Sequence, residues 1–445
     1  MSKRKSLLKF GAGLMVSSSI LLAACGGTTE GTETESAAGT SDQSENTEEV
    51  NITFWHAMNG PHQEAITALT EDFNDSQDLY TVEEMNQGDY DTLEQSIMAS
   101  GVSGDLPTIS QLTPGLVPDL ATNELLLPLD DILTGENGFT QEELDDIYPG
   151  FMESSLYNEK TYAMPFSKST RVMYYNQDLL DEYGVEVPTT WEEVKALGEK
   201  MVAAGDDSVA MGLENAYEME YETMARQNGS TFIDGETLEV DIDSPESVET
   251  LEFLMGLIDE GYARTAGEDG YFSGPFARGE SALYIGSSAG LAHVEPVAEE
   301  NGINWSTAEL PTYNDTPLTI FAGNDLGVFS SATEEEQEAA VAFLSFLLKP
   351  ENTAYWSMET GYVPISRAAL EVPEYKTYLE ENPAAEAATL ELEYGISAPS
   401  FVGYGEYRNE LLNTMDDVLV NDANEQEALT ELDKKTEDII SKNNK

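Results

Sequence analysis

From Val50 onward the hydrophobic positions first alternate and then coil. Val50, Ile52 and Phe54 are spaced as in a half-buried strand, and after an Asn59-Gly60-Pro61 turn Ile66, Leu69 and Phe73 recur at helical spacing. A second β-prone run covers Leu79 to Met85, a helix opens at about Tyr90 with Leu93, Ile97 and Met98 inward, and Thr108 to Leu112 reads as a third strand. Strands and helices alternating at this distance predict right-handed βαβ units and a parallel sheet. Ligands of such open sheets lie beyond the carboxyl ends of the strands. Here those ends are the turns Trp55 to His62, Gln87 to Tyr90 and Gln111 to Gly115.

The stretch Thr161 to Leu180 changes the pattern. A small polar knot, Ser167-Lys168-Ser169-Thr170, reads as a loop lined with hydroxyls, and the β-prone run Arg171 to Tyr175 then enters a second sheet before a helix starts at Asn176. Thr190 and Glu193 form a capping box, which makes Trp191 a packing residue. Val248 to Ile258 is an amphipathic helix, and Ala282 to Ile285 is a buried strand. It ends in a small-residue turn, Gly286 to Gly290, whose N–H groups and hydroxyls suit an anion or polar group. Thr319 to Phe329 reads as strand, kink, strand around Gly323-Asn324-Asp325. A second capping box, Thr333 with Glu336, opens a helix that Pro350 stops, and Asn409 to Asn444 is helical and acidic. No repeat and no second linker interrupts the folded part, so two lobes are expected to be interleaved rather than strung in series.

Composition adds an address and excludes some partners. With 445 residues, two or three cores are expected. Twenty basic residues against 85 acidic ones give a net charge of −65, a field that repels nucleic acid and anionic lipid. Lys3, Arg4, Lys5 and Lys9 precede a short apolar run, Phe10 to Leu22, which is the pattern of a signal peptide over 1–24. Leu22-Ala23-Ala24-Cys25 follows, similar to the bacterial lipoprotein signal, in which the cysteine carries the lipid, palmitate included. Residues 25–49, rich in Gly, Ser, Thr and Glu, cannot offset chain entropy by burial and read as a disordered acidic tether. Cys25 is the sole cysteine, so no disulfide framework forms.

Most catalytic signatures are missing. There is no GxxxxGK[ST], GxGxxG or HExxH, Gly286 to Gly290 matches GxSxG only as a string, and His56, His62 and His293 lack metal-ligand spacing, so no metal and no cofactor is expected. What recurs is aromatic and hydroxyl residues at the loop mouths: Trp55, Tyr90, Tyr217, Tyr362, Tyr404 and Tyr407 with Ser169, Ser287 and Ser288. Aromatic faces cover the C–H surface of a polyol while hydroxyls bond its rim.

At these residues the chain resembles the extracellular solute-binding proteins of bacterial ABC importers, family 1, which includes the maltose-binding proteins. The likeness is carried by PFSKSTRVMYYNQDLL with PTTWEEVKALGEKM behind it, by ARGESALYIGSSAG, and by AVAFLSFLLKPENTAYWSMETGYVPISRAAL. Within the family, Phe54-Trp55-His56-Ala57-Met58, Gly88-Asp89-Tyr90 and Thr360 to Ile365 are most similar to the binding proteins for sn-glycerol 3-phosphate and glycerophosphodiesters. The resemblance places ligand contacts at Tyr90, Ser169, Ser287, Gly323 and Tyr362, with Tyr217 in place of the family's lid tryptophan. Two departures stand out. The glutamate that holds glycerol hydroxyls falls near Thr113-Pro114, where this chain has no acid, and the phosphate-gripping arginine falls at Tyr407 or, one residue on, at Arg408. An inward Arg408 suits a glycerophosphate, and an inward Tyr407 suits a neutral sugar. Lys168 and Arg171 are the other nearby cations, Arg171 for packing or an ion pair.

The resemblance implies a two-lobed α/β periplasmic-binding-protein-like fold of type II, with parallel-rich sheets and a hinge of three crossovers near Ala163 to Thr170, Leu318 to Gly323 and Gly361 to Ser366. Lobe one is expected over 50–165 with 323–355, and lobe two over 166–320 with 360–445. The implied function is capture of a small-molecule solute, a glycerophosphate or a carbohydrate, and its delivery to the transmembrane subunits of an ABC permease. The protein is expected to be a monomer and not an enzyme, held by a lipid anchor on the outer face of the cytoplasmic membrane of a Gram-positive cell. The alternatives are a maltooligosaccharide or other neutral-sugar receptor and, from another class, a secreted glycan-active enzyme.

Overall fold

The computed structural model describes residues 49–443 except residue 136, so the signal segment, Cys25, the tether up to residue 48 and Asn444 lie outside the described residues. The first alternating run forms β1 (Val50–His56), joined through α1 (Pro61–Ser76) to β2 (Tyr80–Asn86) and through α2 (Tyr90–Ser103) to β3 (Ile109–Leu112). All three strands run parallel, as the βαβ pattern requires. Two antiparallel strands, β4 (Ala163–Ser169) and β10 (Ala322–Val328), complete a sheet of order β2-β1-β3-β10-β4.

The second sheet is built from β5 (Arg171–Asn176), β6 (Val209–Leu213), β7 (Ala263–Thr265), β8 (Ser281–Ser287) and β9 (Trp305–Ala308), in the order β7-β6-β8-β5-β9. β6 runs parallel to β7 and β8, and β5 lies antiparallel to β8 and β9. Both faces of this sheet are buried. Met173 points into one apolar cluster with Trp191, Leu251 and Leu411, while Val172 and Tyr174 point into another that also holds Phe54, Phe343 and Trp356 of the first lobe. The apolar core therefore runs through the hinge.

The local signals behave as the sequence implies. Thr190 caps helix Trp191–Ala204 and Thr333 caps helix Glu334–Leu347, each with a complete capping box, and Pro350 begins a new helix, α5 (Pro350–Thr360). Trp191 is buried and donates through Nε1 to Gln227 at 2.8 Å. Between β6 and β7 lies α3 (Glu218–Asn228), after β8 comes α4 (Leu291–Asn301), and the chain ends in α6 (Tyr404–Asn421) and α7 (Glu425–Asn443). No described helix is long and apolar enough to cross a membrane.

One expectation is corrected. Ser167, Lys168 and Ser169 are not loop residues but the buried end of β4, paired with Ala322–Asn324 of β10. A lysine at 2% exposure needs a partner, and it has one: its ammonium lies 2.6 Å from Asp325 and donates to Ser154 at 2.8 Å, while Ser154 and Ser155 donate to the same carboxylate. The expected lobe boundary after residue 165 falls inside β4, which stays in the first sheet to Ser169. The chain changes sheets at Thr170 and again near Phe321, and at the third crossing the Val363 N–H donates to the Lys168 carbonyl at 2.7 Å.

Candidate functional site

The carboxyl ends of β1 and β3 and the kinked start of β10 converge on one polar cluster. Asp89 caps α2 by accepting from the Thr92 N–H at 2.8 Å, which fixes Tyr90 in the first turn of the helix. The Tyr90 hydroxyl accepts from the Asn324 amide at 2.8 Å and lies 3.4 Å from the Tyr362 hydroxyl. Tyr362 is held flat on Trp356, with ring centres 5.7 Å apart and an 11° interplanar angle, and its other neighbour is His62. Gly323 has φ +104° and its absent Cβ would fall 1.8 Å from the Ser167 carbonyl oxygen, so only glycine permits this close crossing of β10 over β4. Trp55 is half-buried at the end of β1, against the apolar cluster behind α2.

An acid from another element reaches Thr113. Glu94, one turn along α2 from Tyr90, accepts the Thr113 hydroxyl at 2.5 Å, and burial raises its pKa against the opposing effects of that bond and of Arg408. Sequence reasoning misses it because its only signal is the helical spacing from Tyr90 to Glu94.

The facing wall, from the second lobe, is ionic. Arg171 begins β5 opposite Ser287 and is bonded to the buried Glu220. Glu214, just past β6, accepts from the Tyr284 hydroxyl and from the Phe272 N–H, and burial raises its pKa. Arg408 binds Glu218 through Nε at 2.5 Å, keeps its side chain 42% exposed, and interacts electrostatically with Asp91 of the first lobe. Burial lowers the Arg408 pKa, and Glu218, with Tyr404 and Asp91, more than reverses that. Tyr271, 70% exposed, stands close enough to both Tyr90 and Tyr362 to raise their hydroxyl pKa values, after burial, which is the larger cause in each. Nothing in the local sequence singles it out.

Not every expected contact faces this space. Tyr217, expected as the aromatic lid, is 1% exposed in the second-lobe core, at the N-cap of α3, whose inner face carries Tyr221, Met224 and Ala225. Tyr407 is likewise 1% exposed and shares the inner face of α6 with Leu411 and Met415. Arg408, one residue further and about 100° around the helix at 3.6 residues per turn, leaves that face. Tyr404 packs its ring where a Gly115 side chain would stand. Ser169 is buried opposite Ala322, and Ser287 turns its hydroxyl to accept the Ala289 N–H at 3.2 Å, capping the turn. Ser288 is fully buried, and its hydroxyl has no partner among the described residues.

Two α/β lobes, interleaved by repeated crossings around a polar cluster, define a two-domain protein of the periplasmic-binding type. The sequence signature described as bacterial extracellular solute-binding protein matches residues 68–387, and the chain belongs to that family. It is 26% identical over 353 residues to the sn-glycerol-3-phosphate-binding periplasmic protein UgpB of Yersinia pestis, covering 77% of this chain and 80% of that one. The crystal structure of UgpB from Mycobacterium tuberculosis in complex with glycerophosphocholine superposes with a TM-score of 0.79 at 25% identity, over 88% of this chain and 98% of that one. The GacH receptor of Streptomyces glaucescens, solved unliganded and with acarbose, shares the fold, with a TM-score of 0.78 at 20% identity and coverage of 88% and 99%. Membership implies a small-molecule ligand, an ABC permease as partner, and a cell-surface or periplasmic location.

Proposed function

We propose that this protein captures a glycerol-3-phosphate or glycerophosphodiester type of ligand between its lobes and hands it to an ABC permease, with no covalent chemistry of its own. The observation that carries the reading is the placement of Arg408: Tyr407 is in the core, and Arg408 is at the cleft with only its Nε engaged among the described residues. Its remaining guanidinium edge has the fork geometry that phosphate oxygens accept. Tyr90, Tyr362 and Gly323, with Trp55 beside them, would receive the glycerol end, and Glu94 would take the place of the missing acid. The named relatives support this, since one is described as binding sn-glycerol 3-phosphate and another was crystallised with glycerophosphocholine.

A second reading, a neutral carbohydrate, is favoured by a specific observation: Lys168, Arg171 and Arg408 are each already paired with a carboxylate. Ligand joining both walls would shift the lobes from open to closed about the crossings at Thr170, near Phe321 and at 361–366, and the closed form would dock on the permease. We further place the protein as a monomer on the outer face of the cytoplasmic membrane of a Gram-positive cell, tethered by lipid at Cys25. Thermal-shift screening against glycerol 3-phosphate, glycerophosphocholine and maltooligosaccharides tests the ligand class, since binding raises the unfolding midpoint by mass action. A rise with the phosphate esters is expected, and a rise with maltooligosaccharides alone would select the second reading. Mass spectrometry of the N-terminal peptide tests Cys25.

A further inference from the structure

The start of α3 carries three glutamates at alternate positions, Glu218 and Glu220 in its first turn and Glu222 just beyond it, each no more than 4% exposed. Acids are tolerated there partly because the helix N-terminus is positive, and chiefly because each has its own arginine. Glu220 binds Arg171, Glu222 binds Arg226, and Glu218 binds Arg408. The pairs differ in one respect. The side chains of Arg171 and Arg226 are 8% and 12% exposed, whereas that of Arg408 is 42% exposed. Two of the pairs are sealed inside the lobe, and the third stands at the cleft.

An anion approaching Arg408 therefore meets a guanidinium already facing a carboxylate. The second Glu218 oxygen is buried and has no hydrogen bond among the described residues, so its charge is not spent elsewhere. From the opposite wall Asp91 and Glu94 act on the same guanidinium. One cation among three acids cancels poorly against a dianion. In a partly desolvated cleft each extra ligand charge is repelled with little screening.

Building on the glycerophosphate reading, we infer that Glu218 is the residue that sets the ligand charge the cleft accepts. By holding Arg408 from behind it leaves attraction enough for one negative charge, and the cleft takes a singly charged phosphodiester in preference to a doubly charged phosphomonoester. Glu218 is thus a positioning residue, and its effect passes through Arg408.

The test is calorimetric titration at pH 8, where a phosphomonoester is close to fully dianionic, its second pKa being about 6. The protein and its Glu218→Gln variant are titrated with glycerol 3-phosphate, glycerophosphoglycerol and maltotriose. The expected result is a protein that binds the diester at least tenfold more tightly than the monoester. In Glu218→Gln that ratio should shrink by tenfold or invert, with any maltotriose affinity unchanged. A change of equal factor for both esters, or a wild-type preference for the monoester, overturns the inference while leaving the glycerophosphate reading intact. Failure of the wild-type protein to bind either ester overturns both. Should the Gln variant not fold, Glu218→Asp keeps the charge but draws it back, and a smaller shift of the ratio in the same direction is expected. An unchanged ratio there counts against the inference.

Discussion

Two ion pairs flank the crossing between the sheets, and they are built to opposite ends. Lys168 and Asp325 are enclosed at the hinge, with Ser154 and Ser155 sharing the carboxylate. Arg408 and Glu218 stand at the cleft, bonded through the Arg408 Nε, with the second Glu218 oxygen unbonded among the described residues. A buried pair whose bonds are nearly all satisfied fixes geometry and has nothing left to offer a ligand. A pair left incomplete at the mouth of a cleft keeps donors for one. Satisfaction of hydrogen bonds, more than the presence of charge, separates the scaffold from the site.

Breaking the enclosed pair should do most harm. Lys168→Met leaves Asp325 buried without its cation, and a loss of about 3–5 kcal/mol in unfolding free energy is expected from chemical denaturation. A stability change below about 1 kcal/mol would erase the distinction drawn between the two pairs. Arg408→Ala, by contrast, should weaken binding of a phosphate ester by about 1.5–3 kcal/mol, the range for hydrogen bonds to charged groups, while costing less stability than Lys168→Met, because Arg408 is 42% exposed and solvent reaches the gap it leaves beside Glu218. Equal effects on both quantities would make Arg408 another scaffold residue.

A third variant sharpens the contrast between neighbours on α6. The Tyr407 hydroxyl is buried without a partner among the described residues, and burial raises its pKa far above the ordinary phenol value. Tyr407→Phe removes an unsatisfied polar atom and should leave ligand affinity unchanged while raising stability by up to about 1 kcal/mol. A large loss of affinity would restore Tyr407 to the site.

The seam between the lobes supplies a prediction in pH. His62, on α1, donates through Nε2 to the Thr360 carbonyl, 3.1 Å away, and its ring lies 4.9 Å from that of His293 on α4. Burial, and next His293, lower its pKa from 6.5 to about 4. A histidine depressed in this way favours the folded form when neutral, so its contribution is complete above pH 6.5 and falls away as pH drops toward 4. Each pH unit crossed within that window removes at most about 1.4 kcal/mol. His56, lowered to about 4 by burial, adds a loss in the same window. The melting midpoint measured from pH 7 to pH 4 should therefore fall, and His62→Gln should flatten part of that slope. A small effect is expected at an exposed cap: Thr333→Ala should cost about 1 kcal/mol without altering binding.

Much of the fold is legible because its signals are local. Capping boxes at Thr190 and Thr333, the Asn176 cap and the alternation in β1 each depend on residues within a few positions. The Ser167-Lys168-Ser169 strand reads as a loop in the sequence because its polarity is answered only by Asp325 and Ser154, on other elements. Glu94 stays hidden for the same reason, its link to Thr113 being tertiary. The choice between Tyr407 and Arg408 is within reach, since Tyr407, Leu411 and Met415 already mark the inner face of α6. Tyr217 yields to the same spacing with Tyr221 and Met224.

The most direct test of the central claim, that the two walls grip the two ends of one ligand, is a crystal structure of the protein with a glycerophosphodiester. The account predicts phosphate oxygens within hydrogen-bond distance of the Arg408 guanidinium and the glycerol beside Tyr90, Tyr362 and Glu94. A phosphate held away from Arg408, with Glu218 still its only partner, would contradict it.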